Sequence, residues 1–502
     1  MFYKSIAIFI LSLPALAICS GAADITVFKN VHLVPMTDEK IIKNQTVIVE
    51  GNRIKEIGLD DKVIIPKNAN VIEGAGAYLM PGLADMHVHL RSNWPLPQFL
   101  LYLANGVTTV RDLDGDEYIL QWRDEINAGQ RVGPAIYASS PIIRGYEKDT
   151  VELIAKYKSR YDCVKLYSYF SKTDYKKAVQ TAKEHNVYTV GHIPFAVGLD
   201  GVIAAGMNEI AHVEELDFEF IDFDRTRNLQ PAEWLPYIIG EAMQQNMGSL
   251  GIESKERKTR QKARLSEVVS KLKFARIPVC STLSVSNVIV QKLFKPEAFL
   301  ERPASRYLPL KYKEAFLQGK EKHQLQFKGN KDAALFKYDL EKKLLAELHR
   351  AGILIVLGTD AGTAAMGIVP GFSIHDELRI LTENGFSPYE AIATGTANAS
   401  RVVAAMTGHN DFGTIETGKR ADFILVNQNP LDDLTHVMDY RGVMANGKWY
   451  PQADLEKMID PSLLSDSESD GGSHATGHAS VIPVPDPRSG KVEILTKTWR
   501  DE

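Results

Sequence analysis

Cys163-Val164-Lys165-Leu166-Tyr167 is followed by Tyr175, Ala178, Val179 and Ala182, and then by Tyr188-Thr189-Val190-Gly191. The first and last stretches are short apolar runs rich in β-branched and aromatic residues. The middle set follows the i, i+3, i+4, i+7 spacing of an amphipathic helix. Strand, helix and strand in that order predict a βαβ unit with two parallel strands. The alternation extends in both directions, with apolar runs at 78–83, 107–110, 135–138, 163–167, 188–191, 209–213, 278–283 and 353–358. Eight such units predict an α/β fold, a closed (β/α)8 TIM-type barrel spanning residues 81–410. Ser387-Pro388-Tyr389-Glu390 joins a capping box to a proline in the first turn, and so predicts a helix after the eighth run. A barrel of this type takes about 250 residues. The excess sits near 218–275 and 290–348, which are Lys- and Glu-rich and predict helical inserts over the barrel mouth, as solvated decoration or as a lid.

The flanks have a different texture. Ile25-Thr26-Val27-Phe28, Gln45-Thr46-Val47-Ile48-Val49 and Val63-Ile64-Ile65 predict strands within 24–80. Phe423-Ile424-Leu425-Val426, and Gly442-Val443-Met444 before the turn Asn446-Gly447, predict strands within 411–455. Together they imply one small β-sandwich domain completed by both ends of the chain. Residues 1–23 have the charged, apolar and small-residue order of a signal peptide, which implies export to the periplasm or beyond. Cys19 raises lipoprotein anchoring, which the bulky Ile18 before it disfavours. Residues 456–502 carry Ser-Asp-Ser-Glu-Ser-Asp-Gly-Gly-Ser and predict a polar, disordered tail, dispensable after Leu463.

Composition narrows the function classes. With 502 residues, 44% hydrophobic and 24% charged, the chain can bury a large core. The 58 basic and 63 acidic side chains are well mixed and leave a net charge of -5, so no positive field recruits nucleic acid. Beyond the N-terminus no apolar run is long enough to span a membrane. Three cysteines give no disulfide framework, and Cys163 and Cys280, on non-adjacent strands, are expected to be free thiols. The expected partner is a small-molecule substrate; self-association is left open.

His87, His89, His192 and His212 all fall at the C-terminal ends of predicted strands. Residues i and i+2 of a strand face the same side, so His87-Val88-His89 presents two imidazoles together. Asp360, in Leu357-Gly358-Thr359-Asp360-Ala361-Gly362, is delivered to the same rim, where barrel active sites are built. Lys165 lies inside an otherwise buried run. An ammonium there, beside divalent cations, is disfavoured by desolvation and repulsion. Either it snorkels or pairs, or, as a neutral amine, it adds carbon dioxide to become an anionic carbamate.

This set, His87-Val88-His89, Lys165, His192, His212 and Asp360, resembles the metal-site pattern of the amidohydrolase superfamily. Gly106-Val107-Thr108-Thr109-Val110-Arg111-Asp112-Leu113, Val190-Gly191-His192-Ile193-Pro194, Gly206-Met207, and Ala421-Asp422 through Asn429-Pro430-Leu431 are similar to the imidazolonepropionase-like and metal-dependent prolidase-like branch. One departure is Ser139-Ser140-Pro141-Ile142-Ile143-Arg144, which lacks the Gly-Gly-His element of many prolidase-like members. The resemblance implies two divalent ions, expected to be Zn²⁺. His87, His89 and Asp360 would hold one and His192 and His212 the other, with carbamylated Lys165 between them. It also implies a bridging hydroxide, with Asp360 moving the proton to the leaving nitrogen. Nitrogen and oxygen donors would equally accept Mn²⁺, Co²⁺ or Fe²⁺.

Three further residues are candidates for substrate contact. Tyr167 shares strand-face parity with Lys165, Arg144 could bind a carboxylate, and His375 lies just past the eighth strand. The activity expected is hydrolysis of an amide bond in a dipeptide or N-acyl amino acid. A lactonase or esterase on the same metal pair, and a binding protein without turnover, are the alternatives.

Overall fold

The computed structural model describes residues 24–92, 94, 98–245, 255–314, 331–363 and 366–461. The expected leader, 1–23, and residues 462–502 of the expected tail lie outside the described residues. The chain opens with β1 (Ile25–Leu33), β2 (Ile42–Glu50), β3 (Arg53–Leu59), β4 (Asn70–Glu73) and β5 (Tyr78–Pro81). Next come eight short strands: β6 (Leu83–Val88), β7 (Val107–Asp112), β8 (Ala135–Ala138), β9 (Cys163–Leu166), β10 (Tyr188–Gly191), β11 (Glu209–Ile210), β12 (Val279–Cys280) and β13 (Ile355–Val356). It closes with β14 (Phe423–Val426), β15 (Tyr440–Ala445) and β16 (Lys448–Pro451).

Strands β6 to β8 pair in parallel, as do β9 to β13. Parallel bridges Ser139↔Cys163 and Ile143↔Leu166 link the two sets at one end, and Val88↔Ala361 links them at the other. This is the strand order of a TIM-barrel-type α/β fold. The helix that the sequence predicts after the fourth run is Lys172–Glu184, capped by Ser171, with Tyr175, Ala178, Val179 and Ala182 buried. The capping box at Ser387 and Glu390 forms as its residues predict. Helices Pro231–Gln244 and Lys255–Ala275 separate β11 from β12. Helices Leu283–Phe294 and Lys331–Arg350 lie between β12 and β13.

Both ends of the chain join one sheet of order β16-β15-β14-β5-β1-β2-β3, with β4 paired to the first half of β1. Bulges in β1 turn its second half onto β5. Phe28, Val47, Leu79, Phe423, Leu425 and Met444 form this sheet's own apolar cluster, with Phe28 and Phe423 edge to face at 5.6 Å.

Two sequence expectations need correction. Val63-Ile64-Ile65 is not a strand: the amides of Lys62 and Val63 bond back to the Leu59 carbonyl, closing a turn, and Pro66 ends the run without a donor. Ile64 is left 87% exposed. The run 78–83 is not one barrel strand either. It divides at Gly82, so that β5 belongs to the outer sheet and β6 to the barrel. The Gly82 amide bonds the Asp422 carbonyl, and a Cβ there would sit 2.2 Å from the Thr108 hydroxyl. The described residues contain no helix long and apolar enough to cross a membrane.

Candidate metal centre

The barrel interior is apolar below and polar at the rim. Ala84, Met86, Cys163, Val190, Ala211, Cys280 and Val356 pack as one cluster, and both cysteines are free. Across it runs a fully buried pair in which Arg111 donates to both Glu209 oxygens at 2.7 and 2.5 Å. Above this layer the strands end in donors.

His87 lies on β6, and His89 follows its last residue. Asp85, on the same strand face as both, accepts from the Thr359 amide at 3.0 Å, the Thr359 hydroxyl at 2.6 Å and the His87 amide at 3.3 Å. One buried carboxylate thus ties β6 to the segment that delivers Asp360. Burial pushes this carboxyl up to about 7 against the Thr359 bonds. The Asp360 amide donates to the His87 carbonyl at 2.8 Å, and its backbone is left-handed at φ 60, costly for a residue with a Cβ. Gly362 closes this loop at φ 89, where a Cβ would lie 1.8 Å from the His89 carbonyl oxygen.

The side chains converge accordingly. Asp360 Oδ1 lies 2.8 Å from His89 Nε2 and 3.4 Å from His87 Nε2. Donor atoms of His87, His89 and Asp360 all fall within 4.8 Å of one another. The His212 ring centre is 4.2 Å from that of His87 and 4.9 Å from that of His192. Each of these three rings is anchored at Nδ1: His87 on the Ala211 carbonyl at 3.0 Å, and His212 on the Thr282 hydroxyl at 3.1 Å. His192 is held on Glu215 Oε1 at 2.6 Å and on the Ser168 hydroxyl at 3.0 Å. The Ala211 carbonyl, which can only accept, places the proton of His87 on Nδ1 and leaves its Nε2 lone pair for a metal. Burial, and then the nearby Lys165, hold these three imidazoles well below their usual range, so they are neutral.

Lys165, on β9, is 1% exposed, and its Nζ has no hydrogen-bond partner. Burial pushes its ammonium down to about 8, against the pull of Asp360 and Glu215. His87 Nε2 and His89 Nδ1 are likewise buried without a hydrogen-bond partner. Orphaned nitrogen donors beside a carboxylate, in so dry a place, fit a divalent cation.

The substrate candidates divide. The Tyr167 ring lies tilted against that of His192, ring centres 4.1 Å apart, at the rim. Arg144 lies beside it, its carbonyl accepting from the Tyr169 amide, with its own amide held by Glu147. His375 is not brought to the cluster: its ring bonds the backbone of Asn105, and burial pushes it down to about 4. The helix Ser373–Glu383 turns it toward the first barrel helix. Asp85, Ser168, Glu215 and Thr282 were not singled out from the sequence. Asp85 carried a usable signal, two residues before His87 on the same strand face.

Fold and donor set define a TIM-barrel-type protein whose strand ends bring together His87, His89 and Asp360, donors of the kind that could hold a metal. The amidohydrolase family model matches residues 339–450, which include Asp360. The adenine deaminase of Staphylothermus marinus is 39% identical over 92 residues, 18% of this chain and 15% of that protein. The imidazolonepropionase of Idiomarina loihiensis is 37% identical over 65 residues, 12% of this chain and 16% of that one. The chain thus matches less than a fifth of the length of these two curated relatives. A solved Xaa-Pro dipeptidase with bound methionine superposes with a TM-score of 0.57 at 18% identity, covering 85% of this chain and all of that one. The chain is thus similar to the amidohydrolase family over residues 339–450, and it shares its fold with the solved dipeptidase.

Proposed function

We propose that the protein is an exported metal-dependent hydrolase that cleaves the amide bond of a dipeptide or N-acyl amino acid. The observation that carries this reading is the buried His87–His89–Asp360 donor set facing the unpartnered Lys165 amine. His87, His89 and Asp360 would hold one divalent ion, expected to be Zn²⁺, and His192 and His212 a second. When bound, such a pair acidifies water and polarises a carbonyl.

Lys165, once carbamylated, would add a further oxygen ligand for these ions. Its neutral amine adds to carbon dioxide, an N–C bond forms, a proton leaves to water, and the resulting carbamate is an anion where the protonated amine would be a cation. Asp360 accepts the proton released when water attacks the carbonyl, and donates it to the leaving nitrogen as the C–N bond breaks. Tyr167, beside His192, and Arg144 orient the substrate. We read 24–80 with 411–455 as a small β-sandwich, 81–410 as the catalytic barrel, and 218–275 and 290–348 as inserts that shape its mouth.

The test is hydrolysis by the Zn²⁺-loaded protein of a panel of dipeptides, N-acyl amino acids, esters, lactones and adenine. Turnover of amides is expected; exclusive turnover of lactones or adenine would replace the reading. Lys165→Ala is expected to lose bound metal and most activity, with partial recovery in excess acetate. An unmodified Lys165 in a fully metallated, active enzyme would refute the carbamate.

A further inference from the structure

Lys337 belongs to the insert helix Lys331–Arg350 and carries none of the metal-type donors, yet its ammonium reaches the segments that orient two of them. Its Nζ lies 3.0 Å from Glu214 Oε2, 3.0 Å from the Ser286 hydroxyl and 3.6 Å from Asp217 Oδ2, and it also contacts Glu341. Glu214 sits between His212, two residues earlier, and Glu215, the next residue, whose carboxylate holds the His192 Nδ1. Ser286 is in the first turn of helix Leu283–Phe294, which begins one residue after Thr282, the hydroxyl partner of the His212 Nδ1. Glu377 fixes that same turn by accepting from the Leu283 and Ser284 amides at 2.9 and 2.7 Å. Thr282 has a left-handed backbone at φ 45, a conformation that its surroundings must enforce.

We propose that Lys337 is a positioning residue for the His192–His212 half of the metal centre, clamping together the two segments that orient those rings. The insert is then part of the site's construction. One ammonium joins the turn Val213–Phe220 on one side to helix Leu283–Phe294 on the other. Losing it frees Glu215 to turn away from His192, and Thr282 to relax out of its strained backbone away from His212. His87, His89 and Asp360 are held by Asp85, Ala211 and Gly362 and do not depend on it.

The inference rests on His192 and His212 being metal ligands, as proposed above. The experiment is calorimetric titration of the metal-depleted full-length protein with Zn²⁺, read as two equivalents, together with metal per chain by mass spectrometry. Lys337→Met is expected to weaken the second equivalent about tenfold or more, in the range seen for outer-shell partners, and to leave the first within about twofold. Lys337→Arg restores the second equivalent. Glu214→Gln removes the closer of the two charged contacts on the side of the turn Val213–Phe220, leaving Asp217, and weakens the second equivalent in the same sense. If Lys337→Met does not fold, because Glu214, Asp217 and Glu341 lose their shared cation, Glu214→Gln decides. Lys343→Met, the same charge change at an exposed position of the same helix, is the control. A folded Lys337→Met or Glu214→Gln protein that binds both equivalents as wild type overturns the clamp, as does equal weakening of both equivalents. If His192→Ala leaves the second equivalent untouched, it is the ligand assignment that fails. Loss in His192→Ala with none in Glu214→Gln fails the clamp alone.

Discussion

Asp360 combines a strained backbone with a carboxylate on two imidazoles, and the cost of the first makes sense only through the second. Asp360→Asn keeps the size and the loop but cannot shuttle a proton. Turnover should fall by about 10² to 10⁴ while metal content falls modestly, checked by kcat and metal analysis on the same samples. Unchanged turnover would move the proton to another group. His375 gives a prediction of the opposite kind, since its ring is engaged away from the cluster. Burial holds it near 4 in the folded protein, against an ordinary value of 6.5. The unfolded chain therefore binds the extra proton first, so His375 contributes stability above about pH 6.5 that is lost as pH falls toward 4. His375→Leu should flatten the fall in urea midpoint between pH 7 and pH 4.5. That the four histidines, Lys165 and Asp360 gather at one end of the strands was legible, because strand ends and i, i+2 parity are written in the sequence. Glu215, Ser168 and Thr282 were not, because their role is to touch a ring delivered by another strand.

At the scale of elements, the barrel's polar cross-brace is the feature that sequence patterning missed. Arg111 on β7 and Glu209 on β11 meet with neither side chain exposed, and Tyr188 on β10 adds its hydroxyl to Glu209 at 3.2 Å. Removing one partner leaves a buried charge, so Arg111→Met should cost about 3 to 5 kcal/mol in chemical unfolding. Adding Glu209→Leu to it should recover much of that loss; a double variant as unstable as the single one would show that packing, not charge, sets the cost. Periodicity found the last seven barrel strands but not their ends, and its first run, 78–83, touches β6 only at Leu83. The predicted runs 209–213, 278–283 and 353–358 include residues that leave the ladder to become a 3₁₀ turn, a helix start and a loop. Apolar character persists there because the rim is buried as well, and no local signal separates a buried strand from the buried turn after it. Val63-Ile64-Ile65 failed in the other direction: its β-branched residues had no partner strand to pair with.

For the whole molecule, the outer sheet and the barrel share chain at Gly82. β5 lies between β1 and β14, and one residue later the same backbone is the strand that carries His87. The two units should therefore melt together. Phe423, 1% exposed against Phe28, is a fair probe: Phe423→Ala should cost about 3 to 5 kcal/mol and still give one calorimetric transition. Two separate transitions would show that the sheet folds independently. That the ends of the chain meet was legible from matching strand-rich texture. Which strands neighbour one another was not, since β14 is 342 residues from β5.

That separation sets an order of events during synthesis. A ribosome delivers Tyr78–Pro81 early, yet one long edge of that strand stays unpaired until Phe423–Val426 emerges. The nascent chain must carry this open edge through most of its translation, and an unpaired edge is the template on which chains stick to one another. The protein should consequently depend on holding chaperones during production. A circular permutant that starts near residue 411, and so makes β14 before β5, should need them less.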